Sequence, residues 1–554
     1  MNTMKNFIKL FLVLVVCASP VFAQNKIDKI DLTYGAELPD DKHAIVKIIG
    51  EVSGKIYALA MNKDDYYIRI FDSKEMKQLS MNKIIQPELE DKDVDFEDIF
   101  LLNDKLYVVG SVYNRKEKIF NLMGTQIGEN GIMSPTSTKM FEAEVAKKSA
   151  RGAFYFKISP DGGALLAMHT CEFSKEDAVK YQVKLFDNKL DVMFDHKEDV
   201  FFNDSKKDYE FMISDFEISY DDDVLLVINE SYRDNKKKEQ VEKFEIHEFM
   251  KANSYKKEVV NINLKDVEII NCKMMSTAQN TLKLVGFYSS VRESGRANKE
   301  LKGVYNATMD LSSKASPVVK FNEFDLATKV KLMGERRANK GKDVKPLYAI
   351  TNIIEKEDGG MIIMSEYQTI IVGKTQGLGP FSVTPITYTR NEIIITSLNP
   401  DGKVAWSNVL PKEQSATVSE IGWSTGTYSY GAGSFGVGVY KGIPLGTLGK
   451  GPEYLGSIPI YSNGKLNVVF NDNIKNKGIT DIEEVRTMGN YKSSVPALFI
   501  FEENGKLSRK DPEDAVKSEL VLKPGVYSRK ASNELIVYSS KMKKDKLGRM
   551  VLKD

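Results

Sequence analysis

The chain has 554 residues, of which 42% are hydrophobic and 28% are charged. This composition is typical of a folded globular protein and excludes an intrinsically disordered chain. The formal net charge is only +1, so no overall field favours nucleic acid or an anionic membrane as a partner.

Residues 1–23 have the pattern of a secretory signal peptide. Lys5 and Lys9 make the start positive, residues 7–18 form an apolar core, and Ala23 ends a cleavage motif. We therefore expect a mature protein that begins at Gln24, with no later segment apolar enough to span a membrane. The expected location is the periplasm or the periplasmic face of the outer membrane, with an extracellular location as the alternative.

The first clear strand pattern after the signal peptide is Ile27–Tyr34, and a repeating unit follows it. Each unit contains apolar runs separated by polar turns, and the clearest copy spans residues 346–414. There, turns at 357–360 and 399–402 separate four short strands, which predicts one antiparallel sheet. Further turns of this kind lie at 53–55, 103–105, 159–163, 221–223, 278–280 and 463–464.

Aligned on these turns, the units recur roughly every 40 to 65 residues, a period typical of a β-propeller. The sequence therefore predicts an all-β fold, a β-propeller of seven or eight four-stranded blades, with eight the preferred count. The last unit supplies only three strands, so Ile27–Tyr34 is predicted to complete it and close the ring. Residues 24–554 are interpreted as one propeller domain. Residues 323–345 are polar and rich in lysine and arginine, and they are predicted to be partly helical or irregular.

Two cysteines remain after the expected cleavage, Cys171 and Cys272. They fall two units apart, too far for a disulfide, so two buried free thiols are predicted. His169 and Cys171 share one strand face, but a zinc site would need two further ligands, and a packed strand is the preferred interpretation. The acidic run at 221–223 could hold calcium, although turn chemistry explains it better. No metal and no cofactor are predicted.

Residues 415–457 depart from the repeat as an insertion rich in glycine and tyrosine. Long connections of this kind are often functional, and the alternation of its aromatic and aliphatic residues is typical of an extended hairpin. Two interpretations stay open, a partner-contacting or cavity-covering loop and an elongated blade edge that only packs. The candidate partner-binding residues are Trp423, Tyr428, Tyr430, Phe435 and Tyr440.

Two motifs in this insertion look catalytic. Residues 422–426 fit G-x-S-x-G, but no histidine follows them and no strand-to-helix turn surrounds them. Residues 431–436 fit G-x-G-x-x-G, but the glycines that follow exclude the helix that a dinucleotide site requires. Neither motif is interpreted as a site, and no catalytic residue is predicted.

The turn at 159–166 (SPDGGALL) resembles those of TolB-like and WD40-like bacterial propellers. Residues 358–364 and 393–410 resemble blades of exported propeller proteins common in the Bacteroidota. The resemblance implies the fold and an envelope setting, and it implies no particular activity. The landmark repeats of WD40 proteins, sialidases and quinone-dependent dehydrogenases are absent from the sequence.

The leading hypothesis is a non-catalytic protein-binding or scaffolding propeller of the cell envelope. A secretion or outer-membrane assembly complex is the setting considered for it. It would have protein partners and no nucleic-acid partner. The alternative is a carbohydrate- or peptide-processing hydrolase with acidic residues at the central channel. A small-ligand binder with a well-formed pocket is a third possibility.

Overall fold

Alternating turns and apolar runs make almost the whole chain into antiparallel strands. The computed structural model describes residues 27–553, except for 174–175, 177, 203–205, 235, 237–239, 265–266, 292–297, 314, 377–382, 422–434, 438–450, 513–519 and 543. Within these ranges it has eight sheets, each built on four antiparallel strands. The predicted all-β propeller with the preferred eight blades is confirmed.

The first strand in the chain is β1 (Ile30–Tyr34), and blades 1 to 4 follow it in order. Blade 1 contains β2 (Ala44–Val52), β3 (Lys55–Asn62), β4 (Asp65–Asp72) and β5 (Gln78–Lys83). Blade 2 contains β6 (Asp95–Leu102), β7 (Lys105–Asn114), β8 (Ile119–Ile127) and β9 (Thr138–Glu144). Blade 3 contains β10 (Ala153–Ile158), β11 (Leu165–Phe173), β12 (Ala178–Phe186) and β13 (Val192–Phe201). Blade 4 contains β14 (Lys206–Ile218), β15 (Val224–Asp234), β16 (Gln240–Phe249) and β17 (Lys257–Asn261).

Blades 5 and 6 carry additional strands, and blade 4 gains a short one from the insertion. The first strand of blade 5 is split into β18 (Val267–Ile269) and β19 (Lys273–Ser276), and β20 (Thr281–Ser290), β21 (Gly303–Asp310) and β22 (Val318–Glu323) follow. Two short helices, α1 (Leu326–Met333) and α2 (Glu335–Ala338), confirm the predicted partly helical segment. Blade 6 contains β23 (Tyr348–Glu355), β24 (Met361–Val372), β25 (Val383–Leu398), β26 (Val404–Leu410) and a fifth strand, β27 (Gln414–Ile421). A short strand, β28 (Phe435–Val437), lies within the insertion.

Blades 7 and 8 complete the ring. Blade 7 contains β29 (Ile458–Ser462), β30 (Lys465–Asn473), β31 (Ser494–Phe501) and β32 (Leu507–Lys510). Blade 8 contains β33 (Val521–Ala531), β34 (Glu534–Lys541) and β35 (Lys544–Leu552), and β1 pairs antiparallel with β35 from Ile30↔Leu552 to Tyr34↔Gly548. The predicted closure by the amino-terminal strand is therefore confirmed. Short 3-10 turns lie at Lys251–Asn253, Pro452–Tyr454, Ile474–Asn476 and Tyr491–Ser493.

The core lies between the blades. Eight hydrophobic clusters occupy the eight junctions, and each one joins two neighbouring blades, including blade 8 with blade 1. In β3, for example, Ile56 and Ala58 face blade 8 while Tyr57 and Leu59 face blade 2. Because both faces of a blade are buried, its central strands read as continuous apolar runs.

The first strand of each blade lies towards the centre of the ring. The first strands of adjacent blades contact one another, as β2 does with β6 and β33, and β14 with β10 and β19. Because the blades of a propeller radiate from a central channel, these close approaches mark the inner end of the blades. This orientation decides which side chains lie near the channel.

Cys171 and Cys272 are both free and buried, in blades 3 and 5 respectively. The predicted thiols two blades apart are confirmed. Trp406 of β26 stacks on Phe501 of blade 7 with ring centroids 5.8 Å apart. Its indole N–H donates to the carbonyl oxygen of Glu503 at 2.8 Å, so it joins two blades.

Candidate functional site

Most of the predicted partner-binding residues fall outside the described part of the chain. Trp423, Tyr428, Tyr430 and Tyr440 lie there, as do the two glycine motifs except for residues 435 and 436. The main chain of Phe435 belongs to β28, which pairs in parallel with β14 from Phe211↔Phe435 to Ile213↔Val437. Since β14 is a first strand and its other edge pairs with β15, this part of the insertion lies on the channel side of blade 4.

The insertion begins as a strand of a small second sheet on blade 6, which sequence reasoning missed. Residues 368–372 of β24 and 383–390 of β25 extend beyond the blade, and β27 pairs with the extended part of β25. We call this three-stranded extension the platform. Among the described residues, no other blade carries an additional antiparallel strand of this length.

The register of the platform gives each face its own chemistry. One face carries the cross-strand rows Thr369–Thr389–Ser415 and Ile371–Thr387–Thr417. The hydroxyl groups of Thr387 and Thr417 are hydrogen-bonded at 2.9 Å. This face is polar except for Ile371, which is 60% exposed. Alternating β-branched residues favour a two-faced strand pair, and the TPITYT and QSATVS patterns carried that signal.

The opposite face of the platform is apolar and buried. Ile386, Tyr388, Ala416 and Val418 form a ninth hydrophobic cluster with Leu455 and Met488. Leu455 comes from the last part of the insertion, and Met488 comes from the connection between β30 and β31. The platform is therefore packed against blade 7 and does not project freely into solvent.

A buried charge cluster holds the platform where it leaves the blade. Lys412 is fully buried, and its Nζ lies 3.0 Å from Oε1 of Glu366, an ion pair outside hydrogen-bond angles. The same Nζ donates to the carbonyl oxygen of Arg390 at 2.6 Å and to Oε1 of Gln414 at 3.0 Å. Burial lowers the pKa of Lys412 below its ordinary value, although the Glu366 carboxylate favours the charged form.

Gln414 extends this cluster into blade 7. Its Nε2 donates to the carbonyl oxygen of Asn471 at 2.7 Å, and its Oε1 accepts from the main-chain N–H of Gly456 at 2.7 Å. One side chain thereby fixes the start of β27, the end of the insertion and β30. The roots of the platform are held rigidly by these contacts.

A cavity of about 330 Å³ lies beside the platform, between β27 and the connection at 488–492. Ser415 and Thr417 line one wall, and Asn490, Tyr491 and Lys492 line the other. Its volume is at the lower end of the range of about 300–1,000 Å³ typical of ligand sites. Gly451, the first residue that the structure describes after 438–450, also lines it.

An aromatic stack supports the Tyr491 wall of the cavity. The rings of Tyr491 and Tyr454 are parallel, with centroids 4.0 Å apart. Behind them the buried Lys523 of β33 lies 5.6 Å from the Tyr454 ring and 4.8 Å from the Tyr538 ring. Burial lowers the pKa of Lys523. Cation–π contacts of this kind contribute about 0.5–2 kcal/mol each, so the wall is well anchored.

Charged side chains also meet on the first strands of blades 3, 4 and 5. Lys157 Nζ lies 2.8 Å from Oε2 of Glu217 and 3.8 Å from Oδ1 of Asp215, and Lys273 Nζ lies 3.8 Å from the same Oδ1. Asp215 Oδ2 accepts from the N–H of Met274 at 2.8 Å. Glu217 Oε1 accepts from its neighbour's main-chain N–H at 3.1 Å. All four carboxylate oxygens therefore have partners within the protein.

The residues considered as metal ligands make ordinary contacts. His169 Nε2 lies 2.8 Å from the carbonyl oxygen of Arg151, and burial lowers the pKa of His169 to about 4. Asp222 pairs with Lys251, and Asp223 accepts from the main-chain N–H of Lys251. No group of three or more potential metal ligands occurs in the described ranges. In the same ranges, no helix is long and apolar enough to cross a membrane.

No protein-family model matches the chain, and no curated protein matches it. Similar solved structures include the Dos1 propeller, with 8% identity over 94% of this chain and 95% of that chain and a TM-score of 0.39. The WD40 domain of SCAP from fission yeast has 8% identity, 95% coverage of both chains and a TM-score of 0.33. The polysaccharide lyase Uly1 has 10% identity, covers 85% of this chain and 94% of that chain, and has a TM-score of 0.34.

These similarities concern the fold and give no argument about function. The chain is a β-propeller because its eight sheets and eight junction clusters close a ring.

Proposed function

We propose that this protein is a non-catalytic, protein-binding propeller of the bacterial cell envelope, and that its partner-binding surface is centred on the platform. One observation carries the proposal: blade 6 alone among the described blades has a rigidly anchored second sheet with a cavity at its edge. A propeller needs no such sheet for stability, since its eight junctions already bury both faces of every blade. Additional structure on a rigid scaffold is where binding sites commonly lie.

The exposed side chains of the platform suit a protein partner. Ile371 is 60% exposed at the outer end of β24, in one cross-strand row with Thr387 and Thr417. Apolar residues surrounded by polar hydrogen-bonding groups are typical of the centre of a protein interface. We expect a partner to cover Ile371 and the threonine rows beside it.

Affinity purification from the native envelope tests this proposal. The tagged full-length protein should retain specific partners that are lost when Ile371 is changed to Lys, because a buried interface would then contain an unpaired charge. Val318→Lys is the matched control, since Val318 is 57% exposed on β22 of blade 5. Equal partner recovery from both variants would contradict the placement of the surface on the platform.

The candidate residues Trp423, Tyr428, Tyr430, Phe435 and Tyr440 extend the proposed surface into the insertion. Deleting all of 415–457 would remove β27 and the buried Tyr454, so the informative change is narrower. Residues 422–450 should be replaced by about eight Gly/Ser residues. The end of β27 lies about 17 Å beyond Ala416, at about 3.3 Å per residue, and the linker must span that distance to return to Gly451. We expect reduced partner recovery with an unchanged melting temperature. Full recovery would remove the insertion from the proposed surface.

We also propose export to the periplasm, or to the periplasmic face of the outer membrane, as part of a secretion or outer-membrane assembly complex. The signal-peptide pattern and the resemblance to exported Bacteroidota propellers support this location. Cell fractionation with the amino terminus of the mature protein sequenced is the test. A cytoplasmic protein that retains residues 1–23 would contradict it.

The charges on the inner strands favour one alternative, a hydrolase that acts on carbohydrate or peptide at the channel. Asp215 and Glu217 converge there, as that activity would require, but their oxygens already pair with lysines and main-chain N–H groups. Activity on polysaccharide and peptide panels, lost in both Asp215→Asn and Glu217→Gln while folding persists, would support the hydrolase. We expect no activity and only a change of stability.

A further inference from the structure

The outer edge of β27 begins to pair with a second strand and then loses its partner. Met488 donates its main-chain N–H to the carbonyl oxygen of Glu413 at 2.8 Å, and Ser415 donates to that of Met488 at 3.2 Å. This is one parallel bridge, centred on Gln414 and Met488. After it the chain turns away at Gly489 and enters the 3-10 turn capped by Asn490.

The next main-chain groups along this edge belong to Thr417. Ser415 points its N–H away from β25, and groups on one edge of a strand recur every second residue, so Thr417 points the same way. Among the described residues, no main-chain or side-chain group bonds to the N–H or C=O of Thr417 on that side. The cavity lies alongside Ser415 and Thr417, where the missing strand would continue.

We call the cavity beside the outer edge of β27 at Ser415 and Thr417 the edge groove. Its opposite wall, at 488–492, has open space and one charged side chain. An added Cβ at Gly489 would meet nothing within 4 Å, so space is open beside the main chain there. Lys492 is exposed and is the one charged residue among those that line the cavity. A ligand that supplies main-chain hydrogen bonds along β27 and a carboxylate near Lys492 would match both walls.

We propose that the edge groove binds an extended peptide segment of a partner protein, which adds as a strand to β27 and carries an acidic side chain beside Lys492. The inference rests on the proposed function and specifies the chemistry of the partner. The platform suits this mode of binding because its buried face and the Gln414 contacts hold β27 in place before a peptide arrives. A preorganised edge loses little conformational entropy on binding.

The test uses peptides selected from a random heptapeptide phage library on the full-length protein. Thr417→Pro removes the N–H that faces the groove while leaving the β25 ladder intact, since proline is tolerated where an N–H faces outward at a sheet edge. We expect it to weaken selected peptides about tenfold, the effect of losing one to two hydrogen bonds. Thr417→Val is the matched control, because it keeps the main chain, and it should change affinity less than twofold.

Charge provides a second, independent measurement. Lys492→Glu should weaken peptides with an acidic residue and favour the same peptides with lysine in its place, and added salt should reduce the original affinity. Both variants must retain the melting temperature of the unmodified protein, which shows that the platform is folded. If Thr417→Pro fails to fold, N-methylation of successive peptide amides gives the same information from the ligand side.

Several outcomes would overturn the inference. The inference fails if Thr417→Pro weakens the binding of none of the selected peptides. It also fails if peptides bind only after residues 422–450 are replaced, since the chain would then occupy its own groove. Loss of a dimer in Thr417→Pro would identify a second copy as the occupant. If Thr417→Pro leaves envelope partners bound while Ile371→Lys releases them, the groove inference fails and the proposed function stands.

Discussion

At the scale of single residues, burial shifts several pKa values far from their ordinary values, and Glu242 of β16 is the clearest case. Burial, with repulsion from Glu268 and Glu210, raises the pKa of Glu242 to about 8, although Ile269 donates a main-chain hydrogen bond to it at 3.2 Å. The folded protein therefore binds a proton there between about pH 4.5 and 8, where the unfolded chain does not. Stability must fall as pH rises through this window.

Glu242→Gln should remove that part of the pH dependence, because glutamine keeps an acceptor oxygen and never ionises. Thermal unfolding measured at pH 4.5 and 8.5 should show that the variant loses less stability over this range than the unmodified protein does. Glu88→Gln, which changes an exposed carboxylate, is the control and should leave the loss unchanged. An equal loss of stability between pH 4.5 and 8.5 in Glu242→Gln and in the unmodified protein would contradict the role given to Glu242.

At the scale of elements, the platform is joined to its blade through buried ionic contacts. Lys412 is 0% and Glu366 is 2% exposed, and Arg390 Nη1 lies 3.6 Å from the second oxygen of Glu366. Buried pairs of this kind fix geometry more than they add stability, since both charges have lost their hydration. The cluster therefore serves to set the angle at which β27 and its edge groove leave blade 6.

Lys412→Met should destabilise the protein by about 3 kcal/mol, because the Glu366 carboxylate would stay buried without its lysine. Its second oxygen would keep the hydrogen bond from Gln368 Nε2 at 2.7 Å and the longer contact to Arg390. Urea denaturation measures this cost, and hydrogen exchange should show faster opening of the amides of β27. The double variant Lys412→Met with Glu366→Gln should recover part of the loss, since the buried charge is gone. Additive costs in the double variant would contradict the pairing.

At the scale of the whole molecule, the two ends of the chain are held in one sheet. β1 pairs with β35, and Ile27 and Ile30 contribute to the cluster between blades 7 and 8. Without residues 27–34, the edge of β35 would be exposed and this cluster would lose two of its buried residues. Ring closure is thus a property that requires contacts more than 500 residues apart in sequence.

A disulfide across this closure should stabilise the ring. Asp31 and Val551 are directly paired, so the cysteines of the double variant Asp31→Cys with Val551→Cys should oxidise to a disulfide. The bond restricts the unfolded chain, which should stabilise the folded protein by about 2–4 kcal/mol and raise its melting temperature. Asp31→Cys with Met550→Cys is the control, since Met550 points to the opposite face of its strand and should not form the bond. Equal oxidation of both pairs would contradict the register.

The sequence by itself determined the blades. Turn residues at 159–163, 357–360 and 399–402 stop one strand and start the next through local main-chain preferences. Central strands are buried on both faces, so they consist of continuous apolar runs such as 361–364. Such a run can be recognised from the local sequence alone. The strand at Ile30 is assigned to the closing blade by counting, because the last unit supplies only three of the four strands that a blade needs.

Only the tertiary structure decided where the candidate site lies. Residues 368–390 had strand-forming residues, but their extension into a platform depends on Leu455 and Met488, which are distant in sequence. The open edge at Thr417 exists because Gly489 leads a separate segment away, and no local pattern reports where another segment turns. Blades follow from short-range preferences repeated along the chain, whereas the groove follows from long-range packing of segments that each look ordinary alone.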